Sequence, residues 1–203
     1  MPNIAVLTND LQYEMLDRMP GGRELAARVT PPFTAFLNAI RSLGHVVVHL
    51  QLINNPDDPQ IARRFRNKSE IPVIRGTPGT ALIREFVHPS DVIVEKHRDS
   101  GFYETILDEK LQELGVKTVV VTGIQTQICV QTTAADAFCR GYKVWVPEES
   151  VFSIKEEDKQ RSLDWMKNYC AVVSPAMGII QRLHQADDLP VREELLETAR
   201  AGV

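Results

Sequence analysis

The sequence predicts a three-layer α/β/α, Rossmann-like domain around a mostly parallel sheet of about six strands. Three observations carry this. Short apolar runs alternate with helical periodicities at least five times along the chain. One run, Val119-Val120-Val121, is apolar on both faces, as a strand inside a parallel sheet must be. No internal repeat, low-complexity stretch or linker interrupts the 203 residues, a length that suits one domain with a sizeable core. Alternation of this kind implies right-handed crossovers and helices on both faces of the sheet.

Each element has its own signal. Ile4 to Leu7 is a short buried strand. Residues 31–43 follow a helical period, with Pro31 and Pro32 at the start and Gly44 as the stop. Phe33, Phe36, Leu37, Ile40 and Leu43 share its apolar face. Val46 to Leu50 is a second strand. Residues 53–90 read as irregular and rich in Pro and Gly, and a long loop in a compact domain is more often functional than spare. Asp91 to Val94 is a third strand. Residues 104–114 form a helix ended by Gly115, and Lys117 to Thr122 a central strand. A turn at Gly123 to Gln127 leads into a helix that runs to Arg140 and stops at Gly141. Tyr142 to Val146 is the next strand, followed by a helix near 156–168 and a strand at 170–173. Pro175 starts a helix through about His184. Residues 1–186 make up the domain; 187–203 reads as a helical tail, with Val191, Leu195, Leu196 and Ala199 on one face, part of the same domain or of a subunit interface.

Composition excludes several function classes. Apolar residues make up 43 % and charged residues 25 %, an ordinary globular balance. The formal net charge of −4 supplies no basic field for nucleic acid or anionic membrane. No apolar run approaches the roughly 20 residues needed to span a bilayer. Met1-Pro2-Asn3-Ile4 lacks the features of a signal peptide, so a cytoplasmic location is expected. Cys129, Cys139 and Cys170 are an odd set, and a disulfide framework is not expected. Cys129 and Cys139 share a predicted helix, where ten residues at about 1.5 Å each hold them roughly 15 Å apart. Cys139 and Cys170 read as buried and inert. Histidines and cysteines show no zinc-type spacing, and no metal or cofactor is expected.

Three polar groups follow predicted strands: Asp10 after the first, Lys96 after the third, and Cys129 at the start of the helix after Val119–Val121. In a doubly wound sheet such groups converge at the carboxyl ends of the strands. The three types make one chemistry. A helix N-terminus and a nearby ammonium favour the thiolate of a cysteine. A carboxylate can take the thiol proton and return it to a departing amine. Asp10 fits that acid–base role, and Lys96 would hold Asp10 and stabilise the ion pair. The backbone amides of Gln125 and Cys129 could face a tetrahedral oxyanion. Each residue also has a plain reading, since Asp after a strand is often a cap, Lys a solvated side chain and Cys among Ile128 and Val130 a core residue. Their conjunction favours the chemical one.

The same residues resemble the isochorismatase-like cysteine hydrolase superfamily over about residues 3–183. Thr8-Asn9-Asp10-Leu11-Gln12 resembles its first-strand Asp-x-Gln, and Gly76-Thr77-Pro78-Gly79 its Gly-Thr-Pro-Gly loop. Lys96-His97-Arg98-Asp99-Ser100-Gly101-Phe102 resembles its Lys-x-x-x-Ser-(Ala/Gly)-Phe. Thr122 to Val130, followed by Thr133, Asp136-Ala137 and Gly141, resembles its nucleophile segment. The resemblance implies an Asp10–Lys96–Cys129 triad and a cis peptide at Ile124–Gln125 that turns the Gln125 amide toward the oxyanion. Superfamily members commonly form dimers and tetramers, so a homodimer or homotetramer is expected.

Nicotinamidases carry an Asp-x-His metal motif after the second strand. Here that stretch is His49-Leu50-Gln51-Leu52-Ile53-Asn54, so His49 reads as a strand-end hydrogen-bonding residue, and metal-dependent nicotinamidase chemistry is disfavoured. Cys129 disfavours vinyl-ether cleavage as well. Gln12, Arg98, Phe102, Gln125 and Phe152 are candidates for contacting a small-molecule substrate. Two further classes compete with the hydrolase. A catalytically silent scaffold has no need of Asp10, Lys96 and Cys129 together, and a thiol redox protein lacks its Cys-x-x-Cys or resolving partner.

Overall fold

The computed structural model describes residues 3–65, 67–186, 188–191 and 193–194. Its strands are β1 (Ile4–Asn9), β2 (Val46–Leu52), β3 (Val92–Lys96), β4 (Thr118–Ile124), β5 (Lys143–Pro147), β6 (Val151–Phe152) and β7 (Val172–Ser174). The helices are α1 (Tyr13–Asp17), α2 (Gly22–Ser42), α3 (Pro59–Arg64), α4 (Leu107–Glu113), α5 (Gln131–Cys139), α6 (Glu156–Tyr169) and α7 (Ala176–Gln185). The sheet order is β3-β2-β1-β4-β5-β7, and every pairing between these strands is parallel. β6 adds a two-residue pairing to the end of β4, giving a seventh strand.

Period-two alternation sorts the strand side chains into two layers. Ala5, Leu7, Val48, Leu50, Val119 and Val121 face one side, with Leu107 and Leu111 of α4, Ala134 and Ala137 of α5, and Leu163 and Met166 of α6. Ile4, Val6, Val47, Val120 and Trp145 face the other, with Phe33, Phe36, Leu37 and Ile40 of α2 and Ile179 and Leu183 of α7. The chain reverses direction across the sheet between β1 and β4, so a crevice opens where their carboxyl ends part.

Two expectations change in detail. α2 begins at Gly22, so Pro31 and Pro32 lie inside the helix rather than at its start. Both prolines face solvent, where lost backbone bonds are replaced by water, and Leu25 and Ala26 extend the apolar face toward the N-terminus. The segment 53–90 carries α3 and three short 3₁₀ turns at Lys68–Glu70, Pro78–Thr80 and Arg84–Phe86. Asp58 N-caps α3 by accepting from the Gln60 amide at 2.8 Å.

The start of the expected tail packs on the sheet. Leu189 is buried in the α2/α7 layer, the Pro190 carbonyl accepts from Trp145 Nε1 at 3.0 Å, and Asp188 accepts from Thr118 Oγ1 and Lys143 Nζ. The helical face expected at Leu195, Leu196 and Ala199 lies outside the described residues. Among the described residues, no helix is long and apolar enough to cross a membrane.

A second polar cluster ties α2 to β2 and β3. His49, buried within β2, bonds Thr8 Oγ1 through Nδ1 at 2.7 Å and Asp91 Oδ2 through Nε2 at 3.0 Å. Arg41 of α2 grips the same carboxylate with Nε and Nη2. His49 therefore serves the hydrogen-bonding role expected of it. Burial opposes ionisation of Asp91, yet the bonds from His49, Arg41 and the His88 amide outweigh it and hold its carboxyl at about 2. A depressed carboxyl adds stability that is present above its unfolded value near 3.8 and is lost as pH falls through the folded one. We expect Asp91→Asn to lose about 2 kcal/mol at neutral pH and to flatten the fall in stability between about pH 4 and pH 2. Urea midpoints across that range provide the check, and parallel acid profiles for both proteins would contradict the assignment.

Candidate active site

β1, β3 and β4 end at the same edge of the sheet, and each leads to one polar group. Asp10 directly follows β1 in the left-handed region, at φ 56°, a conformation that aspartate tolerates better than most residues. Its amide donates to the Leu50 carbonyl at 3.0 Å, which fixes the turn. Lys96 is the last residue of β3. Cys129 lies in a π-helical turn, Thr126–Val130, that leads from β4 into α5. The peptide bond Ile124–Gln125 is cis. Gly123 lets β4 approach β1 closely: at φ 109°, a Cβ there would stand 2.1 Å from the Asn9 carbonyl oxygen.

Lys96 and Asp10 form an ion pair with both side chains at 0 % exposure. Nζ donates to Asp10 Oδ2 at 3.2 Å and to the carbonyls of Arg98 and Asp99 at 3.1 and 3.2 Å. Asp10 Oδ1 lies 3.1 Å from the same nitrogen without hydrogen-bond alignment, so it keeps acceptor capacity. The Cys129 thiol lies close enough to both groups for each to shift its ionisation. Its sulfur also donates to Asp99 Oδ1, 3.8 Å away.

Electrostatics weigh on both sides of the thiol's ionisation. Burial first, and then the Asp10 charge, push the Cys129 thiol well above its ordinary range, and the Lys96 ammonium only partly offsets them. The balance in the site thus leans toward the thiol, where a helix start and a lysine by themselves would favour the thiolate. Burial also raises the Asp10 carboxyl against the pull of Lys96. Burial alone would lower Lys96, but Asp10 and Cys129 beside it turn the shift upward and keep it charged.

The residues flanking these three lock them in place. Ser100 Oγ donates to Asp136 Oδ2 at 2.6 Å, and the Gly101 amide donates to Thr133 Oγ1 at 3.0 Å, which ties the loop after Lys96 to α5. Thr133 Oγ1 donates to Asn9 Oδ1, and Asn9 Nδ2 to the Thr122 carbonyl, so β1, β4 and α5 share one network. The motif residues Ser100, Thr133 and Asp136 are thus braces of the site.

Cys129 stands on the wall of a cavity of about 1070 Å³, with Asn54, Arg64, Asp99, Ile128 and Tyr103 among its neighbours. Arg98 and Gln125, two of the candidates for substrate contact, lie on this wall. Three other candidates do not. Gln12 is buried and fully engaged, donating to the Leu52 and Thr80 carbonyls and accepting from the Leu52 amide. It braces β1 and β2 against the Gly76–Gly79 loop. Phe102 is a core residue that stacks on Tyr142. Phe152 lines a separate apolar cavity between α2 and α7. Cys139 is exposed, contrary to expectation, because it lies off the stripe of Thr133, Ala134 and Ala137 that α5 buries; Cys170 is buried at the end of α6. Asp99, Arg64 and Asn54 at the cavity were missed, for their positions in loops and a short helix carry no periodic signal. Among the described residues, no three potential metal ligands cluster.

The family profile described as the Isochorismatase domain matches residues 4–176. Nicotinamidase 3 of Arabidopsis thaliana is 27 % identical over 168 residues, covering 75 % of this chain and 85 % of that protein. The ureidoacrylate amidohydrolase RutB of Methylobacterium radiotolerans is 35 % identical over 109 residues, which span 50 % of this chain but only 42 % of that protein. Among solved structures, the N-carbamoylsarcosine amidase of Thermoplasma acidophilum superposes with TM-score 0.73 at 30 % identity, over 87 % of this chain and 97 % of that one. A cysteine hydrolase of Pseudomonas syringae pv. phaseolicola gives TM-score 0.80 at 25 % identity, over 90 % and 93 %.

The thiol's raised pKa has a testable origin. Replacing Asp10 by Asn removes the charge that opposes ionisation and leaves Lys96, which favours it. Cys129 should then ionise at distinctly lower pH, read as thiolate absorbance near 240 nm. An unchanged or higher titration point in Asp10→Asn would contradict this arrangement of charges.

Proposed function

The chain belongs to the isochorismatase family, and from that membership we propose a hydrolase of non-peptide C–N bonds that works through a covalent thioester on Cys129. Its substrate class is a small amide, ureido or carbamoyl compound. The observation that carries this reading is the Cys129 thiol beside the buried Asp10–Lys96 pair, on the wall of a cavity large enough for such a compound.

The chemistry runs in two halves. Cys129 Sγ attacks the substrate carbonyl carbon while its proton passes to Asp10. The carbonyl oxygen gains charge and is received by the backbone amides of Gln125 and Cys129, a type of contact worth a few kcal/mol. The tetrahedral adduct collapses, the C–N bond breaks, and Asp10 returns the proton to the departing ammonia or amine. Water then gives a proton to Asp10 and attacks the thioester. Breaking the C–S bond releases the acid, and Asp10 reprotonates the sulfur. Lys96 stays charged throughout and steadies whichever neighbour carries the negative charge.

Ammonia release from a panel of ureido, carbamoyl and simple amide compounds tests the reading. At least one compound should be turned over by the wild type, and Cys129→Ala should lower that rate by on the order of 10³-fold or more. Activity that survives in the variant rules out the nucleophile. No turnover across the panel would favour a silent scaffold.

A further inference from the structure

The hydrolytic half of the proposed reaction makes a demand that the buried ion pair does not meet alone. The thioester carbonyl would stand in the cavity, because Cys129 is on its wall. The attacking water must then come from the cavity too. Asp10 and Lys96, both at 0 % exposure, do not line that wall. A water that gives one proton to Asp10 still has a second hydrogen and a lone pair to aim. A single enclosed carboxylate does not fix both, whereas an acceptor on the cavity side would.

Among the described residues, Asp99 is the only carboxylate that lines the cavity. Its backbone is held by the ion pair, since its carbonyl accepts from Lys96 Nζ at 3.2 Å. Its side chain is held by Arg64, whose Nη1 donates to Oδ1 at 2.7 Å. The same Oδ1 accepts from the Cys129 sulfur at 3.8 Å, so the carboxylate stands next to the atom that would carry the acyl group. Oδ2 has no hydrogen-bond partner among the described residues, and the side chain is 36 % exposed, so water can reach it. Burial dominates the upward shifts of Asp10 and Cys129, and the Asp99 charge adds to both, as its proximity requires. His97 lines the same cavity but has both ring nitrogens engaged: Nδ1 bonds the Ile53 carbonyl at 2.8 Å, and Nε2 faces Glu95 Oε1 at 3.3 Å.

We propose that Asp99 is a fourth catalytic residue, which holds the water of the hydrolytic half. Oδ2 accepts a hydrogen bond from one O–H of that water, and the other proton passes to Asp10. The water oxygen adds to the thioester carbon, and collapse of the adduct breaks the C–S bond. Asp10 then returns its proton to the sulfur, and the acid product leaves with the hydrogen that Asp99 held. Asp99 neither gains nor loses a proton; its charge strengthens the bond that aims the water. The inference rests on the reading of Cys129 as the nucleophile and adds a group to the step that regenerates it.

p-Nitrophenyl acetate isolates this step, because it acetylates a reactive thiol and releases a coloured nitrophenolate. Rapid gel filtration removes the reagent, and mass spectrometry of the Cys129 peptide follows loss of the acetyl group. We expect Asp99→Ala to lengthen the lifetime of the acetyl-enzyme on the order of tenfold or more, while the first-turnover release of nitrophenolate changes by less than about threefold. Asp99→Asn keeps the size and a weaker, uncharged acceptor, and should fall between the two. Hydroxylamine, a stronger nucleophile than water, should discharge wild type and Asp99→Ala at similar rates, an equality that a merely distorted site would not show. An unchanged lifetime in Asp99→Ala overturns the proposal, as does equal slowing of both steps. Absence of acetyl-Cys129 in the wild type overturns the nucleophile reading together with this inference. Acetyl-Cys129 with an unaltered lifetime in the variant overturns this inference alone, so the two failures are distinguishable.

Discussion

The rest of the site depends on one buried ion pair, Lys96 with Asp10. Withdrawing an ammonium and a carboxylate from water costs several kcal/mol for each, and their attraction repays this only with good geometry and further hydrogen bonds. The fold meets that demand by over-determining both partners. Lys96 Nζ has three donors and three acceptors: Asp10 and the carbonyls of Arg98 and Asp99. To offer those carbonyls, the chain after β3 must turn back on itself. That turn carries the Arg98 side chain to the cavity wall and Asp99 to the thiol. A requirement for enclosing a charge thereby shapes the surface that faces a ligand.

The polar network around the pair follows the same logic. Ser100, Gly101, Thr133, Asp136 and Asn9 link the returning loop to α5 and to the ends of β1 and β4. Gln12 does the equivalent on the other side, bridging β2 and the Thr77–Thr80 turn with three buried bonds. A polar network of this kind stabilises only when its members are satisfied, and a half-satisfied one is worse than an apolar core. Asn54 Oδ1 stands out against that background as a buried acceptor with no partner among the described residues.

Much of this was legible in the sequence, for identifiable reasons. Strand and helix positions follow from periodicity, and the parallel sheet from runs such as Val119–Val121 that are apolar on both faces. The convergence of Asp10, Lys96 and Cys129 follows from topology, since each ends a strand or follows one on the same edge of the sheet. What escaped was set by tertiary context. Pro31 and Pro32 look like a helix start until the rest of the helix is seen to place them on its wet face. Gln12 and Phe102 sit in motifs beside catalytic candidates, and sequence proximity cannot separate a brace or a core ring from a substrate contact. Arg63, Arg64 and Asn54 belong to a segment whose short turns leave no period to read, so its charges could not be assigned to a cavity.

The ionisation of the thiol also depends on tertiary context, and the reason says how such a site can work. Lysine and a helix start do favour a thiolate, but burial penalises any charge, and the Asp10 carboxylate repels a second negative one. A free thiolate would add charge to a closed environment. Moving the proton from sulfur to Asp10 adds none: the negative charge shifts between two neighbouring groups, and burial raises both. The desolvation penalties of the two states therefore largely cancel, and the Lys96 ammonium, bonded to Asp10 and near the sulfur, stabilises the charge in either place. In the proposed mechanism, a nucleophile held this way stays protonated until a carbonyl carbon is close enough to draw off the sulfur's charge. Its reactivity is thus tied to occupancy of the cavity.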